Sequence, residues 1–409
     1  MERKKISIQS SIIWNSAGSI VYLCAQWLIS VFVVRLAGVE TAGNLTLAMS
    51  INNVFYSIAM QGIRNYQVSD VNKKYKDETY VNSRLISCIV TIMICIIYCG
   101  VVKYNSVQKG CIIAYCLFKM SEALYDAYAG ICQKYWRMDY IGKSWMIKGI
   151  VTMIAFLIGL FFTSDLVVAI MCMTIASFCV IVLYDIPKTK SLTQIKILLA
   201  NKKNFGLMRE CFPLFCYLIL STIIPTIPRV IMERVLGSYA LGIYGSIAAP
   251  TLIVQMGASY IFNPFLTLFA EQYNEGKVKE FWDTLKKCII AISALCVVSL
   301  VGGKLLGRWG LTFLYGKEVA KYEALLLPLI GCTILTALVW FLCALLTVVR
   351  DLKGLIISNL IALIFCVFCS LLFLEKFHMQ GANIALVFSL LIEIACLWKF
   401  LRNKVNKEY

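Results

Sequence analysis

The chain has a single histidine, His378, among its 409 residues, and only 15% of those residues are charged. One histidine cannot combine with cysteine into a zinc-type ligand set, and it offers little acid–base machinery. No nucleophile–base constellation and no Gly-rich phosphate loop stands out, so there is no sequence sign of an enzyme or of a cofactor. The shortage of charge excludes more. A soluble chain is about a quarter charged and roughly half apolar, whereas 60% of this one is apolar. Too few polar residues remain to coat a soluble core, and no connecting loop is as large as a folded domain.

What is present falls into apolar blocks near the ~20 residues that cross a bilayer core. The eighteen cysteines follow the blocks. Cys88, Cys95, Cys99, Cys172 and Cys179 sit inside them, and the Cys366-x-x-Cys369 pair lies mid-block between Ile364 and Leu371. They read as small lipophilic side chains packing between helices rather than disulfides or redox centres. Arg3-Lys4-Lys5 imitates the start of a signal peptide, but the following stretch from Ser11 to Leu36 is too long and carries Asn15, Gln26 and Trp27. It reads as a retained first helix.

The expected fold is an all-α integral membrane protein of about twelve transmembrane helices. Spans are expected near 11–36, 41–66, 82–102, 111–133, 145–163 and 166–186, then near 210–236, 240–268, 284–303, 323–348, 354–374 and 380–401. Placing the N-terminus and every even-to-odd loop on one side gathers most of the 39 Lys and Arg there, including Lys73, Lys74, Lys76, Lys134, Lys143, Lys202, Lys203, Lys277, Lys279, Arg350 and the tail from Lys399. The positive-inside rule then puts both termini in the cytoplasm. The net charge of +17 is explained by anionic lipid head groups, without a nucleic-acid partner.

The two sets of spans look duplicated. Arg35-Leu-Ala-Gly38 followed by Gly43 recurs 199 residues later as Arg234-Val-Leu-Gly237 followed by Gly242. Lys74-Tyr-Lys76-Asp77 has a counterpart in Lys277-Val-Lys279-Glu280. Each repeat holds an even number of spans, so the two six-helix lobes are parallel, with a central cavity expected between them. The expected division is 1–187 for the first lobe, 188–209 for a cytoplasmic linker and 210–409 for the second.

Polar stripes mark cavities or packed seams in such proteins. The first span has Asn15, Tyr22 and Gln26 on one helical face; the second has Asn53, Gln61 and Arg64. The seventh has Arg229 and Glu233, and the eighth has Gln255. Arg229 follows Pro225-Thr-Ile-Pro228, where the helix is expected to kink or unwind. It needs a ligand or a partner, for which Glu233 at i+4 is available. Arg64 sits where it either lines the cavity or snorkels to the interface. Lys119, Glu122 and Asp126 share a face of the fourth span: either one carboxylate is left over as a proton or cation site, or the cluster satisfies itself. Glu393 in the last span is a further coupling candidate.

Ile12–Trp27, the RLAGVETAG turn and GIRNYQVSD at Gly62–Asp70 resemble the oligosaccharide repeat-unit flippases of O-antigen and capsular polysaccharide pathways, within the multidrug/oligosaccharidyl-lipid/polysaccharide exporter superfamily. The resemblance implies two six-helix lobes around a cavity and alternating-access transport of an oligosaccharide on a polyprenyl diphosphate in the bacterial inner membrane. It implies a cationic cavity, carried over to Arg64 and Arg229, with Arg35 and Arg234 in second place. The guanidinium fork suits a diphosphate, and Asn15, Tyr22, Gln26, Asn53 and Gln255 suit sugar hydroxyls. The partners implied are the lipid-linked oligosaccharide, the bilayer and a coupling ion, H+ or Na+. Two other readings stay open: a cation-coupled multidrug exporter of the same superfamily, and a membrane glycan polymerase or ligase, which the short outward loops disfavour.

Overall fold

The computed structural model describes residues 8–70, 74–199 and 201–407; Lys73 and the Arg3-Lys4-Lys5 cluster lie outside them. Among the described residues there is no strand. The helices, in chain order, are α1 (Ile8–Met60), α2 (Ile63–Ser69), α3 (Asp77–Val101), α4 (Ser106–Lys134), α5 (Met138–Thr163), α6 (Leu166–Val180) and α7 (Ile186–Lys190). There follow α8 (Lys202–Glu210), α9 (Phe212–Ala248), α10 (Leu252–Phe262), α11 (Leu266–Asn274), α12 (Val278–Tyr315), α13 (Lys317–Ala320), α14 (Leu326–Val348) and α15 (Leu352–Lys407).

Eight stretches among the described residues are long and apolar enough to cross a membrane. Three are two spans run together. The helix of α1 breaks at Gly38 (φ 84°, ψ 172°), that of α9 at Gly237 (φ 83°, ψ 173°) and that of α15 at His378 (φ 50°, ψ −132°). With α4, whose buried charges lower its hydropathy, this is the twelve-span all-α pattern expected from the sequence. Local chemistry fixes the ends. Asn105 and Gln108 form a reciprocal capping box at the start of α4, and Asp165 accepts from the Val167 and Val168 amides at the start of α6.

Gly38 and Gly237 are repeat equivalents, and they share one backbone conformation that residues with a Cβ rarely adopt. Five residues on, Gly43 lies so close to the Ser238 carbonyl that a Cβ would stand 1.8 Å from its oxygen. Its equivalent Gly242 meets the Val39 carbonyl at 2.0 Å by the same measure. Each RLAG- or RVLG-type elbow therefore seats its glycine on the other, so the two matching sequence segments meet in the structure.

The unwinding expected at the α9 prolines is not found. The backbone stays helical through Pro225 and Pro228, and the break comes at Gly237. Pro228 has no N–H to offer the Ile224 carbonyl; the Cys366 thiol donates to that oxygen instead, at 3.3 Å. An outside donor lets the helix continue past the proline.

By packing, the chain falls into two compact units. One comprises Met1–Ala37 and Leu47–Ile219, the other Gly38–Thr46 and Leu220–Tyr409. In the first unit the linker is tied down: Asn82 donates to the Lys196 carbonyl at 3.0 Å and Ser83 to the Asn204 carbonyl at 3.2 Å. In the second unit, α12 runs roughly 57 Å at 1.5 Å per residue, longer than a bilayer core. Its side chains Val298, Leu305, Trp309 and Phe313 point outward, a surface suited to lipid.

Candidate functional site

The interior of the first unit is charged. Arg84 on α3 has no exposed surface; it donates to Asp126 on α4 at 2.9 Å and to the Ala59 carbonyl at 2.7 Å. The other oxygen of Asp126 accepts from Arg64 on α2 at 2.6 Å, and Arg64 also donates to Gln133 at 3.0 Å. Two guanidinium groups thus clamp one carboxylate and leave an excess positive charge. Arg64 keeps 27% of its side chain exposed, so that charge has an open side. Two turns before Asp126 on α4, Lys119 pairs with Glu122 at 2.5 Å and stands over the Tyr56 ring at 5.3 Å.

A second buried group lies between α1, α4, α5 and the end of α6. Gly142 and Gly149 bring α5 against α1, with no room for a Cβ. Tyr22 packs at a tilt against Trp145, 4.2 Å between ring centroids, and Trp145 meets Tyr125 at 4.8 Å. The Lys148 ammonium, with no exposed surface, sits 4.1 Å from the centre of the Tyr125 ring. Asp185 ends a π-helical turn, Ile181–Asp185, and is also buried.

The GIRNYQVSD segment turns out to be an anchor. Gln61 and Gly62 adopt left-handed conformations that break α1 from α2. Asp70 then accepts from the Lys74 and Tyr75 amides and from the Tyr80 hydroxyl. Burial pushes the Asp70 carboxyl up, but these hydrogen bonds and the Lys134 charge hold it below its ordinary range. Tyr66 donates to Glu210 at the end of α8, as do Lys74 at 2.5 Å and Tyr75 at 2.9 Å. The bonds from Lys74 and Tyr66 hold the Glu210 carboxyl below its ordinary range.

The remaining expected residues are placed as follows. Tyr22 is buried against Trp145, Gln26 and Asn15 are half-buried, and Asn53 is exposed. Its neighbour Asn52 is the buried one, donating to the Ala48 and Ile112 carbonyls. Arg35 and Arg234 are exposed. Arg229, Glu233, Gln255 and Glu393 belong to the second unit: Arg229 and Glu233 half-buried on α9, Gln255 buried on α10, Glu393 buried on α15. Arg84, Lys148 and Asp185 escaped sequence reasoning. The available signal was a charge at the edge of an apolar span, where it also passes for an interfacial anchor. Among the described residues no group of histidine, cysteine and carboxylate side chains could hold a metal ion.

Residues 8–269 match the family described as "Polysaccharide biosynthesis protein". A capsular polysaccharide biosynthesis protein, CapF of Staphylococcus aureus, is 27% identical over 314 residues, covering 75% of this chain and 77% of that one. The fold is that of lipid II flippase MurJ in an inward closed conformation (TM-score 0.75, 13% identity, 95% of this chain and 87% of that one). It is also that of an inward-facing multidrug resistance MATE family transporter of the MOP superfamily (TM-score 0.71, 10% identity, 97% and 98%).

Proposed function

This chain belongs to the polysaccharide biosynthesis protein family, and we propose that it is a flippase. In this reading it carries oligosaccharide repeat units, linked to a polyprenyl diphosphate, from the cytoplasmic to the outer leaflet by alternating access. The observation that carries the reading is the family match over residues 8–269. A relative named for capsule biosynthesis and a fold shared with a lipid flippase support it.

The chemistry of the first unit agrees. A diphosphate is held best by guanidinium forks, and Arg64 offers one beside a clamped carboxylate, with a second arginine behind it. Arg229 is a half-buried cation of the second unit, and Asn15, Gln26 and Gln255 are amides suited to sugar hydroxyls. In this reading the protein is a transporter without a cofactor, in the bacterial inner membrane, with both termini and the linker cytoplasmic. Transport draws on H+ or Na+.

The test uses purified protein in liposomes containing a polyprenyl-diphosphate oligosaccharide. The fraction of that lipid open to an external glycosidase should grow faster than in protein-free liposomes. No acceleration from folded protein under an ion gradient would move the assignment to a cation-coupled drug exporter.

A further inference from the structure

Six consecutive residues at the start of α3, Thr79–Arg84, are buried. At 3.6 residues per turn they cover every face of the helix, so something shields the side on which α3 later turns Ile89, Val90, Met93 and Ile97 outward. The shield is the linker. Ile195 packs against the Val81 cluster, and the Asn82 and Ser83 side chains donate to linker carbonyls. Asn204 donates to two more, those of Leu198 and Leu199. The linker thus takes over the lipid side of α3. Ser83 precedes Ile89 by about 9 Å along the helix axis, which sets the linker at head-group level rather than in hydrocarbon.

Its composition suits that level. Between Asp185 and Glu210 the sequence has six Lys and Arg and no carboxylate. Lys196, Lys202 and Lys203 are exposed, and so are Ile197, Leu198, Leu199 and Phe205. Apolar side chains exposed among lysines mark a segment that lies in an anionic interface. From Gln194 to Leu199 the chain is not helical, and among the described residues its amides donate to no backbone carbonyl. Backbone at this depth needs acceptors, which the phosphate and ester oxygens of lipid provide. Beside it opens a cavity of about 740 Å³, within the range that holds a small ligand. Of the three lysines lining it, Lys134 pairs with Asp77 at 2.9 Å and Lys76 reaches Glu78 at 3.9 Å. Lys196 is the cation left in excess, so the cavity favours one anionic group, and Leu198 gives it an apolar wall.

We propose that residues 194–199 and 201–205 form a lipid-docking strap. Ile197, Leu198, Leu199 and Phe205 enter the acyl boundary, Lys202 and Lys203 meet the phosphates of an anionic leaflet, and one anionic phospholipid head group occupies the cavity at Lys196. Asn82, Ser83 and Asn204 hold the strap from inside, and lipid holds it from outside.

The test uses the full-length protein in nanodiscs of phosphatidylglycerol or of phosphatidylcholine. No transported lipid is present, so the outcome is independent of the proposed substrate and of which leaflet the linker faces. Hydrogen exchange of the 194–199 amides should be at least about fivefold slower in phosphatidylglycerol, the effect of one lysine beside an anionic surface. Equal rates overturn the proposal. Lys196→Gln/Lys202→Gln/Lys203→Gln, all at exposed positions, should make the rates equal, whereas Lys286→Gln/Lys287→Gln in the second unit should preserve the difference. A difference that survives the first set reports the surface potential alone, and one that disappears with the second is not local; either overturns the strap. Glycerol phosphate added to the phosphatidylcholine sample should leave exchange fast. Slowing by it would mean a site for free phosphate and overturn lipid docking.

Discussion

Arg84 reaches Asp126 across the interface of α3 and α4 at 2.9 Å, from a position with no solvent at all. Removing one partner of a buried pair costs about 3–5 kcal/mol when the other charge is left unanswered; Arg64 still pairs with Asp126 here, so the cost is expected below that range. Arg84→Met is expected to lower the melting temperature, and Arg84→Lys to fall in between, since one ammonium nitrogen must then serve the two acceptors that separate guanidinium nitrogens reach. A melting temperature for Arg84→Met equal to wild type would remove the clamp from the stability of the first unit.

Arg64 should behave differently, because its open side faces away from the clamp. Arg64→Ala is expected to reduce flipping by about tenfold to a hundredfold, the equivalent of losing charged hydrogen bonds worth ~1.5–3 kcal/mol. Arg229→Ala should abolish transport in protein that remains inserted and monodisperse. Both are read in the liposome glycosidase assay, and wild-type rates in either variant would detach that arginine from the substrate.

The Cys366–Ile224 contact predicts an interaction between a thiol and a proline. Cys366→Ala leaves the Ile224 carbonyl buried without its donor, a cost of about 1–3 kcal/mol. Pro228→Ala restores an in-helix N–H to the same oxygen, so the thiol should matter less in that background. A double-mutant cycle by thermal unfolding measures this; strictly additive effects would mean the thiol does not serve the proline.

The linker anchor predicts a pH dependence. The carboxyls of Glu210 and Asp70 titrate below their ordinary values when the anchor is formed. Such groups contribute stability that is complete above the free carboxyl value and is lost as the pH falls through the depressed one. Protection factors of the α8 amides, with the intrinsic pH dependence of exchange divided out, should stay high from neutral pH down into the ordinary carboxylate range and fall only below it. Glu210→Gln should lower them at neutral pH. Exchange in that variant as slow as in wild type would mean that α8 is held by something else.

At the elbows, Gly43→Ala and Gly242→Ala force a Cβ into a backbone carbonyl, which no side-chain movement relieves. Each is expected to cost about 3 kcal/mol or more, and the double variant less than the sum, because both disturb one contact. Thermal unfolding of the three variants decides it.

The spans were legible because a bilayer demands long apolar runs, and the elbows because glycine marks positions that tolerate no Cβ. The side-chain pairings were not. Lys119 and Glu122 lie three apart on one helix, so their pairing could be read from spacing. Arg84 and Asp126 meet only through the packing of α3 on α4, and nothing in either segment names the other. Lys148 and Asp185 stand near the ends of apolar blocks, where a charge passes for an interfacial anchor. The resemblance in GIRNYQVSD pointed to transport, yet its Tyr66 ties down the end of α8 through Glu210 and its Asp70 closes the turn at Lys74 and Tyr75. The prolines in α9 do not unwind the helix, and a donor from α15, Cys366, reaches the carbonyl that Pro228 cannot serve.

The two elbows bear on how the chain arose. Residue 43 meets residue 238 and residue 242 meets residue 39, so the contact maps onto itself when the repeats are exchanged. That is the signature of an isologous interface, the kind that joins identical subunits about a two-fold axis. A half-length ancestor carrying one elbow would have had a ready-made partner in a second copy of itself. Fusion of the two genes would then have turned a self-complementary dimer contact into an internal one, freeing its two sides to diverge.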